Sequence, residues 1–220
     1  SLLPVGADNP ALFVAAPSIG AGPLNLVVTD PQAFVSGNEL VIPRCGKGPL
    51  YVSSLPRTDR ARLLRVLETA LPRHAPKESL VSLFFPVGII PSLQQMRDRL
   101  FQKALSQIAA GHLAAGVKRI RGCGEGLTPA GDDFLCGWML ACRLQRNVTM
   151  AKRILKPARG KNPVSNAFLG LSAQGRVNVA VKKLLQAPAA ARVKAVCAFG
   201  HNSGADLLCG LRFGLGHSES

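Results

Sequence analysis

The stretch "RGCGEGLTPAGDDFLCG", Arg121 to Gly137, packs five glycines, one proline and two adjacent aspartates into seventeen residues. Glycine weakens any regular element, so a run this rich in it needs a structural reason. Thr128 and Pro129 supply one. Thr is a good helix N-cap and Pro is favoured at the first helical position, so a helix is expected from 129 to 146. Gly122, Gly124 and Gly126 then lie in the loop that feeds it. Such a loop turns backbone N–H groups towards one point, and the helix dipole adds positive potential there. Phosphate or carboxylate binds that arrangement, and Lys118, Arg119 and Arg121 just upstream are expected to strengthen it. The competing expectation is a tight turn that packs closely against another element. The run is neither a Walker loop, since no Gly-Lys-Ser/Thr follows, nor a dinucleotide fingerprint, since its glycine spacing differs.

Asp132 and Asp133 fall in the first turn of this helix, where the dipole stabilises carboxylates. Neighbouring helix positions point about 100° apart, so one of the two is expected to face a ligand and the other to orient a loop or hold a cation. Mg²⁺ between an Asp and a phosphate is the candidate cofactor, and a general base is the other candidate role. A second cluster, "FGHNSGADLLCG", covers 199–210. Asn202 or Ser203 can cap a helix, and Ser203-x-x-Asp206 fits a capping box, which makes Asp206 a cap. His201, between Gly200 and Gly204, is either a structural loop residue or a group that donates to an anionic oxygen or moves a proton.

Composition sets the frame for these motifs. The chain has 220 residues, 47% of them hydrophobic, and a mean hydropathy of +0.20, which excludes a disordered chain. No apolar run reaches the roughly 18 uncharged residues of a membrane span. The start lacks a basic n-region, so no signal peptide is expected. The six cysteines form no C-x-x-C pair, and four sit in apolar runs. Free thiols packed as small hydrophobes in a cytoplasmic protein are expected, rather than zinc ligands or disulfides.

The formal net charge is +15, and it is uneven. Between Asp133 and Asp206 there is no acidic residue, while twelve Lys or Arg fall there. Such a field attracts small anions or an acidic partner protein. Nucleic acid is disfavoured, because aromatics are only 5% and the basic residues are scattered.

Before Pro56, short β-like runs alternate with turn residues: "ALFVAAP" (11–17), "PLNLVVTD" (23–30) and "ELVIPRC" (39–45), with "SGNE" (36–39) as a hairpin turn. After Pro56 the helical period takes over, at 57–74, 91–116, 129–146, 162–174, 177–187, 189–198 and 203–214. In 91–116 the apolar face is read as Leu93, Met96, Leu100, Leu105 and Ile108. The expectation is an α+β fold: a small β-rich unit over 1–56, then a helical unit over 57–220 that carries both glycine motifs. No internal repeat stands out, although two glycine-marked helix entries recur.

Taken together, "GCGEGLTPAGDDFLCG" resembles the Gly-x-Gly-x-Gly-Leu-Thr-Pro-Ser/Ala-Gly-Asp-Asp signature of the AllH family, long listed as a putative carboxylase. "GHNSGADLLCG" is similar to its second signature, Gly-His-Ser-Ser-Gly-x-Asp, with Asn202 where Ser is usual. "NPVSNAFLGLSAQG" (162–175) resembles the intervening helix. The resemblance implies a subunit of an oxamate carbamoyltransferase in purine catabolism, which interconverts oxalurate plus phosphate with oxamate plus carbamoyl phosphate. It also implies other subunits of a hetero-oligomeric enzyme as partners. Asp132, Asp133 and His201 fall on its signature positions, and the chemistry of their side chains makes them the catalytic candidates. Gly124, Gly126, Leu127, Thr128, Gly131, Asn202, Ser203, Gly204 and Asp206 are the implied substrate-binding candidates, with no metal ligand assigned. The alternatives are a basic assembly module that docks on acidic subunits and a carboxylase-like enzyme of unknown substrate.

Overall fold

The computed structural model describes residues 51–217 apart from 87 and 90, and, nearer the N-terminus, 21–23 and five strand segments. These strands are β1 (Leu2–Leu3), β2 (Leu12–Ala15), β3 (Asn25–Val27), β4 (Val35–Ser36) and β5 (Glu39–Leu40). The order β1-β2-β3 is antiparallel then parallel, and β4 and β5 pair antiparallel with Ser36 opposite Glu39, the two ends of "SGNE", whose middle residues lie outside the described ones.

The α+β class nevertheless does not hold, and neither does a β unit as one of its two parts. Ladders of two to four residues are too short to form a layer. Among the described residues the hydrophobic core runs from Leu63 to Leu215 and is built by helices. The fold is helical. Apolar alternation before Pro56 sets local extended pairing, but the core is set by the long 3.6-period segments after it.

Among the described residues nine helices follow: α1 (Arg60–His74), α2 (Ser92–Ala109), α3 (Leu113–Ile120), α4 (Ala130–Leu144), α5 (Val148–Ala158), α6 (Pro163–Ala173), α7 (Val179–Gln186), α8 (Ala190–Cys197) and α9 (Ser203–Gly216). A 3-10 turn spans Leu80–Leu83. The expected single helix over 91–116 is two, because Gly111 adopts a φ of +87° and breaks it.

Helix α4 is the centre. Every residue from Ala130 to Cys142 is buried, the mark of a helix that is apolar all round. Phe134 projects from it into a cluster of Phe84, Phe101 and Phe213, and Trp138 meets Phe213 edge-on at 5.2 Å. Aromatic pairs at these separations add to the area they bury.

Over its first half helix α2 turns a different face inward from the one its apolar residues predict, while Leu105 and Ile108 of the expected face do pack against the core. Leu93, Met96 and Leu100 are exposed, while Gln94, Asp98, Phe101 and Ala104 are buried. Hydrogen bonds explain the inversion. Gln94 donates to the Lys77 carbonyl at 2.6 Å, and the Ser82 hydroxyl donates to Asp98 at 2.6 Å. Arg97 pairs with Asp98 at 2.9 Å. A satisfied polar network is tolerated inside, so hydropathy alone misjudges the buried face.

The chain also contains an internal repeat. Gly131-x-Asp133-x-x-Cys136-Gly137 on α4 is matched by Gly204-x-Asp206-x-x-Cys209-Gly210 on α9. The Cys123 amide donates to Ile120 and the Gly131 amide to Cys123; the Phe199 amide donates to Val196 and the Gly204 amide to Phe199. A Cβ on Gly131 would lie 1.9 Å from the Ile120 carbonyl oxygen, and one on Gly204 would lie 1.8 Å from that of Val196. Helix pair α3–α4 thus repeats as α8–α9. Between equivalent points the first copy has seven residues (124–130) and the second four (200–203), so the glycine loop carries three extra.

Candidate functional site

The repeat brings the two glycine-marked helix starts together. The Thr128 and Ser203 hydroxyls lie 3.0 Å apart and share a hydrogen bond. Helix α4 starts one residue later than expected, at Ala130, so Thr128 is free to reach α9 rather than cap its own helix. Neither α4 nor α9 has a side chain hydrogen-bonded to its first-turn amides. First-turn N–H groups have no intrahelical acceptor, and here two such ends meet at one point.

A third helix joins them. Asn162 accepts from the Val164 and Ser165 amides at the start of α6, and its side-chain amide donates to the Leu127 carbonyl at 2.9 Å. The 124–127 loop is therefore fixed from α6 at one end. Asp132 fixes it at the other, accepting from the Gly122 amide at 2.8 Å. Gly122, Gly124 and Gly126 have φ of +67°, +113° and +93°, values an L residue adopts only under strain. A Cβ at Gly124 would also lie 2.9 Å from the Ala130 nitrogen, whereas around Gly126 there is open space. Leu127 is 55% exposed at the tip.

Asp133 points into the junction. Burial pushes its carboxyl well above the usual carboxylate range. Hydrogen bonds from Ser203 and Thr128 act against the rise, and the carboxyls of Asp206 and Asp132 add to it. Its Oδ2 is buried with no hydrogen-bond partner. A buried polar atom left unpaired costs free energy, which a ligand that supplies the partner would return. The Ser165 hydroxyl, in the first turn of α6, is buried and unpartnered as well.

Asp206 does not cap its own helix. Its Oδ1 accepts from the Leu80 amide at 2.6 Å and so anchors the 3-10 turn. Burial raises its carboxyl to about 7, against the lowering effect of that hydrogen bond. His201 is exposed and meets the neighbouring Asn202 side chain at 3.3 Å. The expected basic support lies elsewhere: Arg121 donates to the Arg159 carbonyl at 2.7 Å, and Arg119 to Gln107 at 3.2 Å. Lys118 is exposed.

Residues 120–215 match the model of a family described as oxamate carbamoyltransferase subunit AllH. Over this segment, somewhat less than half of its length, the chain is similar to the AllH family. No curated protein and no solved structure matches the chain. The AllH segment opens on the last residue of α3 and closes within α9, so it encloses both copies of the Gly-x-Asp-x-x-Cys-Gly motif and the α6 start.

Sequence reasoning missed three contributors to this junction. Asn162-Pro163 has the same polar-residue-then-Pro form as Thr128-Pro129, and that form was the available signal. Ser165 and the Leu80 amide carry none. Among the described residues no group of three or more His, Cys, Asp or Glu side chains gathers as a metal would require. All five described cysteines are free thiols, four of them buried; Cys45 lies outside the described residues. No described helix is long and apolar enough to cross a membrane.

Proposed function

We propose that this chain is the anion-binding subunit of an oxamate carbamoyltransferase-type enzyme and holds its small anionic metabolites at the junction of α4, α6 and α9. One observation carries the reading: two uncapped helix N-termini meet at the Thr128–Ser203 contact, beside a glycine loop pinned by Asn162 and Asp132. Converging N–H groups at helix starts recognise carboxylate and phosphate without a cationic side chain. Oxamate, oxalurate, carbamoyl phosphate and phosphate all carry such a group. The family description supports other subunits as partners.

In this reading the backbone N–H groups of residues 124–128 and 130 and of residues 202, 203 and 205 bind the oxyanion, since those of Gly131 and Gly204 already donate to the Cys123 and Phe199 carbonyls. Thr128 and Ser203 orient it, and Asp132 acts through the loop it holds. His201 stands at the exposed rim, where it would meet an incoming anion. Calorimetric titration of the full chain with phosphate, oxamate and carbamoyl phosphate tests the proposal. Saturable binding that Gly126→Val removes without loss of helix content supports it; no heat with any of the three overturns it.

Assembly is a second role, favoured by the row Ile89, Leu93, Met96 and Leu100, exposed between 41% and 103% along and just before α2. Apolar rows of this kind are what a partner subunit covers.

A further inference from the structure

The internal repeat makes Asp133 and Asp206 equivalent positions, and it exposes one difference between them. Each aspartate is the third residue of its Gly-x-Asp-x-x-Cys-Gly motif, on the first turn of its helix. Each is almost wholly buried, at 8% and 1% exposure. Asp206 is matched there by a main-chain N–H: the Leu80 amide donates to it at 2.6 Å. Asp133 has no such donor, and its Oδ2 is buried without a partner. The symmetry also breaks in the loop, which is three residues longer beside Asp133. The copy with the longer loop is therefore the copy whose aspartate lacks an N–H.

The geometry points to Asp133 as the residue that reads an amide group on the ligand: its Oδ2 accepts a ligand N–H, the part the Leu80 amide plays for Asp206. This rests on the anion-binding reading above. The ligand class follows as a small molecule with a carbamoyl or amide N–H close to a carboxylate or phosphate. The oxyanion goes to the helix starts, and the N–H goes to Asp133. The neighbours suit this division, since the half-buried Thr128 and Ser203 hydroxyls border both. An amide that takes the same place also offsets the cost of leaving Oδ2 buried and unpaired.

Two probes of equal charge and nearly equal shape test it. Oxamate carries an NH₂ where pyruvate carries a methyl, beside the same keto-type carbonyl and carboxylate. Calorimetry on the full chain is expected to show oxamate bound about tenfold or more tightly than pyruvate, the effect of one hydrogen bond to an acidic group. Asp133→Leu should reduce that ratio to near one while phosphate still binds. Equal affinity for oxamate and pyruvate in the parent protein overturns the role of Asp133 and leaves anion binding standing. A preference that survives Asp133→Leu also overturns it. Absence of binding by oxamate, pyruvate and phosphate alike overturns both readings.

Should the Leu variant fail to fold, Asp133→Asn decides the matter. An N–H donor prefers the ionised carboxyl, so oxamate affinity should rise with pH in the parent protein as Asp133 loses its proton. Asp132 and Cys136 on α4 and Asp206 on α9 face the same carboxyl and remain in both proteins. The difference between the two pH profiles therefore belongs to Asp133. Parallel profiles for oxamate overturn the proposal.

Discussion

Gly137 and Gly210 hold α4 and α9 in a reciprocal embrace. A Cβ on Gly137 would lie 1.8 Å from the Leu207 carbonyl oxygen, and a Cβ on Gly210 would lie 1.9 Å from that of Phe134. Backbone, not a movable side chain, fills each gap, so neither helix can yield without shifting the other. Because Phe134 and Trp138 are packed from α4 against Phe213 of α9, such a shift would disturb the aromatic cluster as well.

Gly137→Ala and Gly210→Ala are each expected to destabilise the protein by about 3 kcal/mol or more, at the upper end for overpacking. The double variant should cost less than the two single effects added, since one displacement relieves both clashes. Gly170→Ala is the control. Nothing lies within 4 Å of that Cβ on α6, and helix propensity predicts a gain of up to about 1 kcal/mol. Denaturant melts of the four variants and the parent check all of this, and a neutral Gly137→Ala would contradict the close crossing.

Asp206 predicts an unusual pH dependence. Its carboxyl is raised by burial to about 7, well above the value near 4 that it has in the unfolded chain. Between those values the folded state binds more protons than the unfolded one, so stability falls as pH rises through the window. The slope is at most about 1.4 kcal/mol per pH unit per such group. Asp133, raised in the same direction, adds to it. Melting the parent protein from pH 4 to 8 should show the decline, and Asp206→Asn should flatten it while its side-chain oxygen still accepts from Leu80. A flat parent profile would show that neither carboxyl keeps its proton.

Helices α1, α4, α6, α7, α8 and α9 were legible because each carries a periodic apolar face or a capping signal: Asp59, Asn162 and Asn178 each accept from a first-turn amide. Helix α5 was not, because its short segment is basic and carries Pro157 near its end. The buried face of α2 was misread for want of Ser82 and the Lys77 carbonyl, which are 12 and 17 residues distant from Gln94. The repeat is faint in the sequence because its copies share only glycines, an aspartate, a leucine and a cysteine, across loops of unequal length. At the junction the residue types were legible, but their partners were not. Thr128 meets Ser203 across 75 positions, and Asp206 meets Leu80 across 126. Tertiary pairing of that kind leaves no periodic trace in the sequence.

Gly126 separates strain from space. With φ of +93° it is held where an L residue is disfavoured, yet no atom lies within 4 Å of its added Cβ. Gly126→Ala should therefore cost about 1–2 kcal/mol through backbone strain alone. Gly124→Ala should cost more, since its Cβ also meets the Ala130 nitrogen at 2.9 Å. Phosphate titrations beside melting curves give the order. A Gly126→Ala protein as stable as the parent would show that the loop relaxes freely.

Asp132 offers the sharpest contrast between a positioning role and a chemical one. Its Oδ1 accepts from the Gly122 amide at 2.8 Å and so closes the loop onto the first turn of α4. Asn keeps an acceptor at that place, whereas Ala does not. If Asp132 acts through the loop, Asp132→Asn should keep stability and phosphate affinity near the parent values. Asp132→Ala, which removes the acceptor of the partly exposed Gly122 N–H, should then lose about 0.5–1.5 kcal/mol and weaken phosphate binding. A group that takes or gives a proton behaves otherwise: Asn fails as fully as Ala, because neither titrates, and turnover by the reconstituted enzyme falls by roughly 10²-fold or more in both. Two variants, a melting curve and a rate for each, decide between loop support and proton transfer. With its acceptor already committed to Gly122, the expected result is a near-normal Asn protein beside a loosened Ala protein.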